Sequence, residues 1–236
     1  MTATELLVEL FPAGHAVREE EGVLRGSGRT GSGEVAVLGT TGGLEVGIEA
    51  ALALAGEVLR IVREHPRRAI VVLVDTRGQR MSLRDEVLGL NGYLAHLAAC
   101  MELARQGGHR TLAVVHGDAV SGGFLPLGLM ADEVYAVAGA HPWVMSLAAM
   151  ARVTKIPLER LTELSRSSAV LAPGLDGFVR TGAIAPPWAP PLAPLLEAAL
   201  AQPAARDRRM EEGLARGGRL LAAQVATRVA GGADDP

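Results

Sequence analysis

The residues with the clearest chemical potential are two adjacent glycines, Gly122 and Gly123, in the segment HGDAVSGGFL (116–125). They stand between an apolar run typical of a buried strand and a pattern that predicts the start of a helix. Because glycine has no side chain, its main-chain N–H groups can approach a ligand oxygen closely, and the dipole of a following helix favours negative charge there. Donors arranged in this way form an oxyanion hole.

A second junction between a strand and a loop has the same character. The segment VLVDTRGQR (72–80) is apolar up to Asp75 and then becomes polar and flexible. If the two strands are neighbours in a parallel sheet, the loops at their carboxyl ends lie side by side, and one main-chain N–H from each could bind the same oxygen. The sequence therefore predicts catalytic main-chain donors at Gly78, Gln79, Gly122 and Gly123.

Alternating strands and helices must position these junctions. Apolar runs rich in branched residues predict strands at Val35–Gly39, Ala69–Val74, Thr111–Val115 and Val134–Val137. Helical periodicity predicts helices at Leu44–Glu64, Arg84–Gln106, Met145–Val153 and Leu158–Ser165. Strands separated by helices of this length indicate parallel crossovers in an α/β domain.

Proline and glycine mark the borders of this pattern. The segment APPWAPPLAP (185–194) breaks regular structure and separates a core domain, 1–184, from a linker and C-terminal helical region, 185–236, which we expect to belong to the same domain. The segment RGSGRTGSG (25–33) predicts a surface loop. Its Gly26, Gly28 and Gly31 match G-x-G-x-x-G, but a dinucleotide fingerprint requires a preceding strand and a following helix, and here a strand follows.

Composition excludes several classes of function. The net charge of −3 gives no basic surface for nucleic acid. The single cysteine excludes an internal disulfide, no apolar stretch reaches the length of a membrane span, and no basic segment precedes an apolar run at the N-terminus, so we expect a cytoplasmic protein. The scattered histidines indicate no metal site.

The two junctions and their flanking segments resemble the crotonase superfamily. The resemblance lies in VDTRGQRMSLRDEVLGLNGYLAHLAACMELAR, VVHGDAVSGGFLPLGLMADEVYA, AHPWVMSLAAMARVTKIPLERL and GFVRTGAI, and it covers about Val35 to Ile184. It is closest to the carboxyltransferase branch, and within it to the gamma subunits of biotin-independent malonate decarboxylase. It implies an α/β crotonase-like spiral of ββα units with a C-terminal helical region.

The resemblance also implies an activity and partners. A gamma subunit works with a homologous beta subunit, as a heterodimer or a higher assembly, on a malonyl thioester. The acyl group is carried on the CoA-derived prosthetic group of an acyl-carrier protein, and this chain itself binds no cofactor. The expected reaction is that of a carboxy-lyase, which releases CO2 and leaves the acetyl thioester.

One departure from the superfamily supports decarboxylation over hydration. In the hydratases a glutamate follows the oxyanion glycines, whereas the corresponding place here holds Leu125. Addition of water then lacks a proton carrier. Loss of CO2 leaves an enolate, whose oxygen needs only preorganised donors.

The polar residues beside the junctions allow several interpretations. Arg77 and Arg80, with Arg84, could bind a substrate carboxylate or the carrier's phosphate, but a solvated helix start explains them equally well. Ser121 could line the acyl site and contact substrate, or its hydroxyl could bond to nearby main chain.

Two other functions are consistent with the same residues. Ser121 could be the nucleophile of a Clp-type serine peptidase, for which His141 is the one downstream histidine and would have to be the base. Alternatively, the chain is a structural subunit whose partner carries the chemistry.

Overall fold

The computed structural model describes residues 1–172, 174–202 and 207–231, which form two compact units. The first unit contains 1–144 and 185–202. The second contains 145–172, 174–184 and 207–231.

The first unit alternates strands and helices. Its elements are α1 (Ala3–Leu10), β1 (Arg18–Glu20), β2 (Val23–Thr30), β3 (Gly33–Thr40), β4 (Glu45–Val46), α2 (Ile48–Glu64), β5 (Ile70–Thr76), β6 (Gly78–Gln79), α3 (Leu83–Val87), α4 (Leu90–Gln106), β7 (Thr111–Val120), α5 (Ser121–Phe124), β8 (Glu133–Ala136), β9 (His141–Trp143) and α9 (Ala193–Ala201). The second unit contains α6 (Leu147–Thr154), α7 (Leu158–Ser167), α8 (Leu175–Arg180), α10 (Arg209–Ala215) and α11 (Leu220–Gly231).

A seven-stranded sheet organises the first unit. Its order is β1-β2-β3-β5-β7-β8, and β9 also pairs with β7. The pairs β1/β2 and β2/β3 are antiparallel, and all pairs from β3 onward are parallel. Strands β4 and β6 form a separate parallel pair. The predicted α/β architecture with parallel crossovers is therefore confirmed, and β5 and β7 are neighbours as the argument about their loops required.

The two central strands are apolar because both of their faces are covered. Ile70 to Val74 of β5 and Leu112 to Val115 of β7 are all fully buried. Continuous burial of this kind explains why the sequence shows an unbroken apolar run there and not an alternation. Such strands form a rigid support for the loops that follow them.

The proline-rich segment packs on the sheet of the first unit. Ala185 N–H donates to the Val134 carbonyl, and Trp188 N–H donates to the Ala136 carbonyl, both at 2.8 Å. The Trp188 ring stacks on Tyr135 with ring centroids 4.1 Å apart. The domain boundary at Ala185 stays a prediction, but the segment that follows it lies against β8.

The predicted surface loop at 25–33 is wrong. All of these residues except Gly31 and Ser32, which form the turn, belong to β2 and β3, an antiparallel hairpin in the main sheet. The glycines serve close packing: a Cβ on Gly26 would lie 2.2 Å from the Ala16 carbonyl oxygen, and one on Gly28 would lie 2.5 Å from the Phe11 ring. A glycine-rich composition therefore marked a crowded strand and not a flexible segment.

Several predicted element boundaries also differ. The helix expected from Leu44 begins at Ile48, because Glu45 and Val46 form the strand β4. The helix expected at Arg84–Gln106 is divided at Gly89, which has a left-handed φ of 79°. The strand expected to end at Val115 continues to Val120, so His116 and Asp118 lie within β7.

The second unit consists of helices in its described part. The predicted helices near Met145–Val153 and Leu158–Ser165 are present as α6 and α7. Ser146 caps α6 by accepting a hydrogen bond from Ala149 N–H. Across both units, no described helix is both long enough and apolar enough to cross a bilayer.

Candidate active site

The two predicted junctions meet at the carboxyl ends of β5 and β7. These strands pair in parallel from Ile70 with Thr111 to Thr76 with Ala119, with a register shift between Val74 and Thr76. Beyond Thr76 the chain forms β6, and beyond Val120 it forms α5. The expected juxtaposition of the two loops is therefore present.

Gly123 is the point of closest packing between the loops. A Cβ on Gly123 would lie 2.4 Å from Thr76 Oγ1 and 2.8 Å from the Gly78 carbonyl oxygen. Because one of these obstacles is main chain, even a methyl group would force the two loops apart. Gly123 lies in the first turn of α5, where amides have no acceptor within the helix.

Gly122 directs its N–H group at the first loop. It donates a hydrogen bond of 3.1 Å to Gln79 Oε1, a neutral carboxamide oxygen. A Cβ on Gly122 would collide at 2.6 Å with the same side-chain oxygen, and other heavy atoms of the Gln79 side chain would be 3.1 Å or more away. Unlike Gly123, Gly122 faces a movable side chain.

The two predicted donors of the first loop differ in orientation. Gly78 N–H donates to Thr76 Oγ1 at 3.1 Å, while that hydroxyl donates to the Leu44 carbonyl at 2.6 Å. Arg80 N–H bonds the Val46 carbonyl across the β4–β6 pair. Because successive amides of a strand point to opposite sides, the intervening Gln79 N–H points away from β4. Gln79 is therefore better placed than Gly78 to serve a ligand.

Ser121 has a left-handed main chain, with φ of 38°. Its Oγ donates a hydrogen bond of 2.5 Å to the Val144 carbonyl. In the described part of the chain Ser121 has no hydrogen bond with a histidine. His141 instead lies opposite Asp118 in the β7–β9 pair, with Nδ1 3.4 Å from Asp118 Oδ1. The pairing of nucleophile and base that a serine peptidase needs is not formed.

Asp75 joins three strand ends at the site. Its Oδ2 accepts from Gly43 N–H and its Oδ1 accepts from Asp118 N–H, each at 3.0 Å, while its own N–H donates to Thr40 Oγ1 at 3.2 Å. A Cβ at Gly117 would lie 2.3 Å from Asp75 Oδ1. The carboxylate thus joins the loop after β3 to β7, and the main-chain N–H of Asp75 joins β5 to the end of β3.

The predicted basic cluster divides into one tethered and two exposed arginines. Arg80 binds the fully buried Asp85 through two bonds of 2.5 and 2.9 Å and also binds Glu49 at 2.7 Å. Arg84 Nη1 binds Glu49 at 2.5 Å. Arg77 has a side chain that is 69% exposed, and its Nε lies 3.9 Å from Asp118 Oδ2.

These ion pairs perturb the acidic groups. The main-chain N–H of Glu49, followed by Arg80 and Arg84, lowers the pKa of the Glu49 carboxyl to about 2. Arg80 lowers the pKa of Asp85 as well. The geometry of Arg80 is thus that of a residue that anchors the loop, while Arg77 retains donors for an external anion.

His116 is buried behind the site, with 3% exposure. Its Nδ1 lies 3.4 Å from the Met1 carbonyl, and no hydrogen bond to its Nε2 is found within the described residues. Burial lowers the pKa of this imidazole, which opposes protonation. This environment is that of a packed core histidine.

Sequence reasoning missed two residues that organise the site, Thr76 and Glu49. Thr76 stands in the VDTRGQ segment, two positions after the last buried valine, but a hydroxyl at that place could equally well have been a solvated loop residue. Glu49 lies 31 positions before Arg80 and 35 positions before Arg84, both of which it binds, so no local spacing connects it to them. Nowhere in residues 1–172, 174–202 or 207–231 do three histidine, cysteine, aspartate or glutamate side chains form a group that could bind a metal.

Comparison with known proteins identifies relatives of this chain. The family model described as malonate decarboxylase gamma subunit matches residues 41–233. A malonyl-S-ACP:biotin-protein carboxyltransferase, MADD, of Malonomonas rubra is 33% identical over 147 residues, which are 60% of this chain and 50% of that protein. The chain thus spans half the length of this curated relative.

Solved structures share the fold. A Pseudomonas malonate decarboxylase hetero-tetramer in complex with coenzyme A contains a chain with a TM-score of 0.75 and 24% identity, covering 94% of this chain and 95% of that one. The Pseudomonas MdcD-MdcE hetero-dimer gives a TM-score of 0.68 and 24% identity, with coverage of 87% and 91%. These likenesses confirm the predicted crotonase-like α/β fold.

Proposed function

The chain belongs to the malonate decarboxylase gamma subunit family, and from this premise we propose that it acts with a homologous beta subunit to decarboxylate a malonyl thioester. The proposed substrate is carried on the CoA-derived prosthetic group of an acyl-carrier protein. The chain itself supplies main-chain donors and no cofactor. The observation that carries the proposal is the close approach of the two loops, in which a Cβ on Gly123 would lie only 2.8 Å from the Gly78 carbonyl oxygen.

The reaction explains why such donors suffice. When the bond between the malonyl carboxylate and the methylene carbon breaks, its electron pair passes to the thioester and places negative charge on the thioester oxygen. Amides of Gln79, Gly122 and Gly123 would stabilise that oxygen, and CO2 leaves. A proton from a donor outside this set then converts the enolate to the acetyl thioester. Removal of one preorganised donor typically costs about 3–4 kcal/mol of barrier.

Arg77 is the best candidate for binding an anionic part of the substrate. It projects into solvent beside the first loop, and among the described residues it forms an ion pair, at 3.9 Å, with the partly exposed Asp118. Such a weak surface pair leaves its guanidinium able to bind a carboxylate or a phosphate. Arg80 is less suitable, since its donors already satisfy a buried carboxylate.

The curated relative supports a second candidate function, transfer of the carboxyl group to a biotin protein. Both reactions begin with the same carbon–carbon cleavage and need the same enolate stabilisation. They differ in the fate of CO2, which is released in one case and carried by biotin in the other. A reaction that proceeds without any biotin-containing protein would favour decarboxylation.

The test is reconstitution with the co-purified partner. We expect the complex of this chain, the beta subunit and the malonyl-loaded carrier to release CO2, and the beta subunit alone to be much slower. Gly122→Pro removes one of the proposed donors, because proline has no main-chain N–H, and a thermal melt of the complex checks that the variant still assembles. We expect kcat/KM to fall on the order of 10²-fold. Full turnover by the beta subunit alone would instead favour a purely structural gamma subunit.

A further inference from the structure

Gln79 makes two opposite contributions to the proposed site. Its main-chain N–H points away from β4 and can donate to a ligand, whereas its side-chain oxygen already accepts the bond from Gly122 N–H. The side chain lies directly across Gly122, with Oε1 2.6 Å and Cδ 3.1 Å from where a Cβ would be. One half of the proposed oxyanion hole is therefore filled by the protein itself.

We propose that the Gln79 side chain is an internal competitor for the substrate. In the free enzyme its carboxamide oxygen occupies Gly122 N–H, and the thioester oxygen must displace it to bind. This inference rests on the proposed function. A carboxamide oxygen and a thioester carbonyl oxygen are both neutral acceptors, so the exchange replaces one hydrogen bond by another, and the bond strengthens only when charge develops on the substrate.

The packing around the loop shows that the fold does not depend on this bond. Gly123, and not Gly122, makes the tight contact with Thr76 and Gly78. The Gln79 side chain is half-buried, and within the described chain its carboxamide has no hydrogen bond other than the one to Gly122. A single neutral bond held by a flexible side chain can open without disturbing the strands.

Competition between the Gln79 oxygen and the thioester oxygen should change KM and not kcat. The apparent affinity for substrate is lowered by the fraction of enzyme in which Gly122 N–H is free. Because the displaced side chain makes no contact with the enolate, it affects the free enzyme and not the rate of the bond-breaking step. The side chain therefore tunes KM while the amides determine kcat.

The experiment compares Gln79→Ala and Gln79→Glu in the complete complex with the malonyl-loaded carrier. Gln79→Ala keeps the main-chain donor and removes the competing oxygen, so we expect KM to fall about threefold to tenfold with kcat unchanged. Gln79→Glu places a charged acceptor on Gly122 and repels the malonyl carboxylate, so KM should rise. The matched control is Gln106→Ala, an exposed glutamine on α4 bonded to Glu102, which should change neither constant.

The outcomes separate this proposal from the proposed function. A complex that releases no CO2 as wild type would overturn the function itself. A working complex in which Gln79→Ala raises KM or lowers kcat would show that the side chain positions Gly122, and it would overturn the competition. Equal KM values for wild type and Gln79→Ala would do the same. Binding of the acetyl thioester product gives an independent readout, since its inhibition constant should fall together with KM.

Discussion

Asp75→Asn should destabilise the protein although it changes one atom. Each carboxylate oxygen of Asp75 accepts a main-chain N–H at 3.0 Å, from Gly43 and from Asp118. An asparagine retains one acceptor and turns an NH2 group towards the other N–H. The loss of one partly buried hydrogen bond costs about 1–2 kcal/mol, which lowers Tm by about 2–8 °C for a chain of this length.

Thermal denaturation of the complex with the beta subunit measures this effect, with Asp118→Asn as the matched control. The Asp118 side chain is 36% exposed and has contacts of only 3.4 Å to His141 and 3.9 Å to Arg77. Its loss should therefore cost no more than about 0.5 kcal/mol. If both variants melted at the same temperature, Asp75 would not brace the strand ends and the reasoning about the site's rigidity would fail.

Three further predictions follow from the contacts of the site. Gly123→Ala should destabilise the complex by about 1–3 kcal/mol because its methyl group would collide with main-chain atoms. Gly56 lies on α2, and a methyl group there would have no neighbour within 4 Å, so Gly56→Ala should stabilise the complex by about 0.5–1 kcal/mol. Thermal melts of both variants check this. Arg77→Gln should raise KM for the malonyl carrier without a change in Tm. Arg80→Gln should instead lower Tm, because the buried carboxylate of Asp85 loses its partner. If Arg77→Gln were the less stable variant in thermal melts, Arg77 and not Arg80 would be the residue that anchors the loop. Because the pKa of Glu49 is lowered from 4.5 to about 2, its contribution to stability is complete above pH 4.5 and is lost as the pH falls towards 2. In a series of melts across this range, Tm should decline less steeply for Glu49→Gln than for wild type, and an unchanged slope would exclude Glu49 as a cause.

The sequence allowed the central architecture to be predicted because burial leaves a simple pattern. The unbroken apolar runs of β5 and β7 are short and rich in branched residues, which favours strands covered on both faces, and two successive crossovers placed them side by side. The convergence of the loops follows from that topology. The glycines of the second loop were recognisable for the same reason, since adjacent glycines at the end of such a strand permit a close approach of main chain.

Other features depended on contacts between distant residues. Gly26 and Gly28 stand in a segment with the composition of a loop. Only the structure shows that Ala16 and Phe11 pack too closely against this strand to leave space for a side chain at these positions. Likewise, Arg80 has the sequence context of a solvated cation until Glu49 is brought against it by the β4–β6 pair. Composition cannot distinguish a glycine that allows the main chain to turn from a glycine that allows two chain segments to pack closely, because both lack a side chain.

The strained main-chain conformation of Ser121 bears on the direction of the amides that follow it. A left-handed main chain costs a residue with a side chain about 1–3 kcal/mol, and glycine would adopt it freely. Glycine, however, could not donate to the Val144 carbonyl, and this bond of 2.5 Å ties the start of α5 to the chain just after β9. A left-handed residue turns successive main-chain N–H groups towards one side, which is consistent with the direction of Gly122 N–H towards Gln79. Since α5 has only four residues, the orientation of these amides contributes more to anion stabilisation than the dipole expected from a longer helix. The strained serine is therefore best understood as the residue that directs the donors.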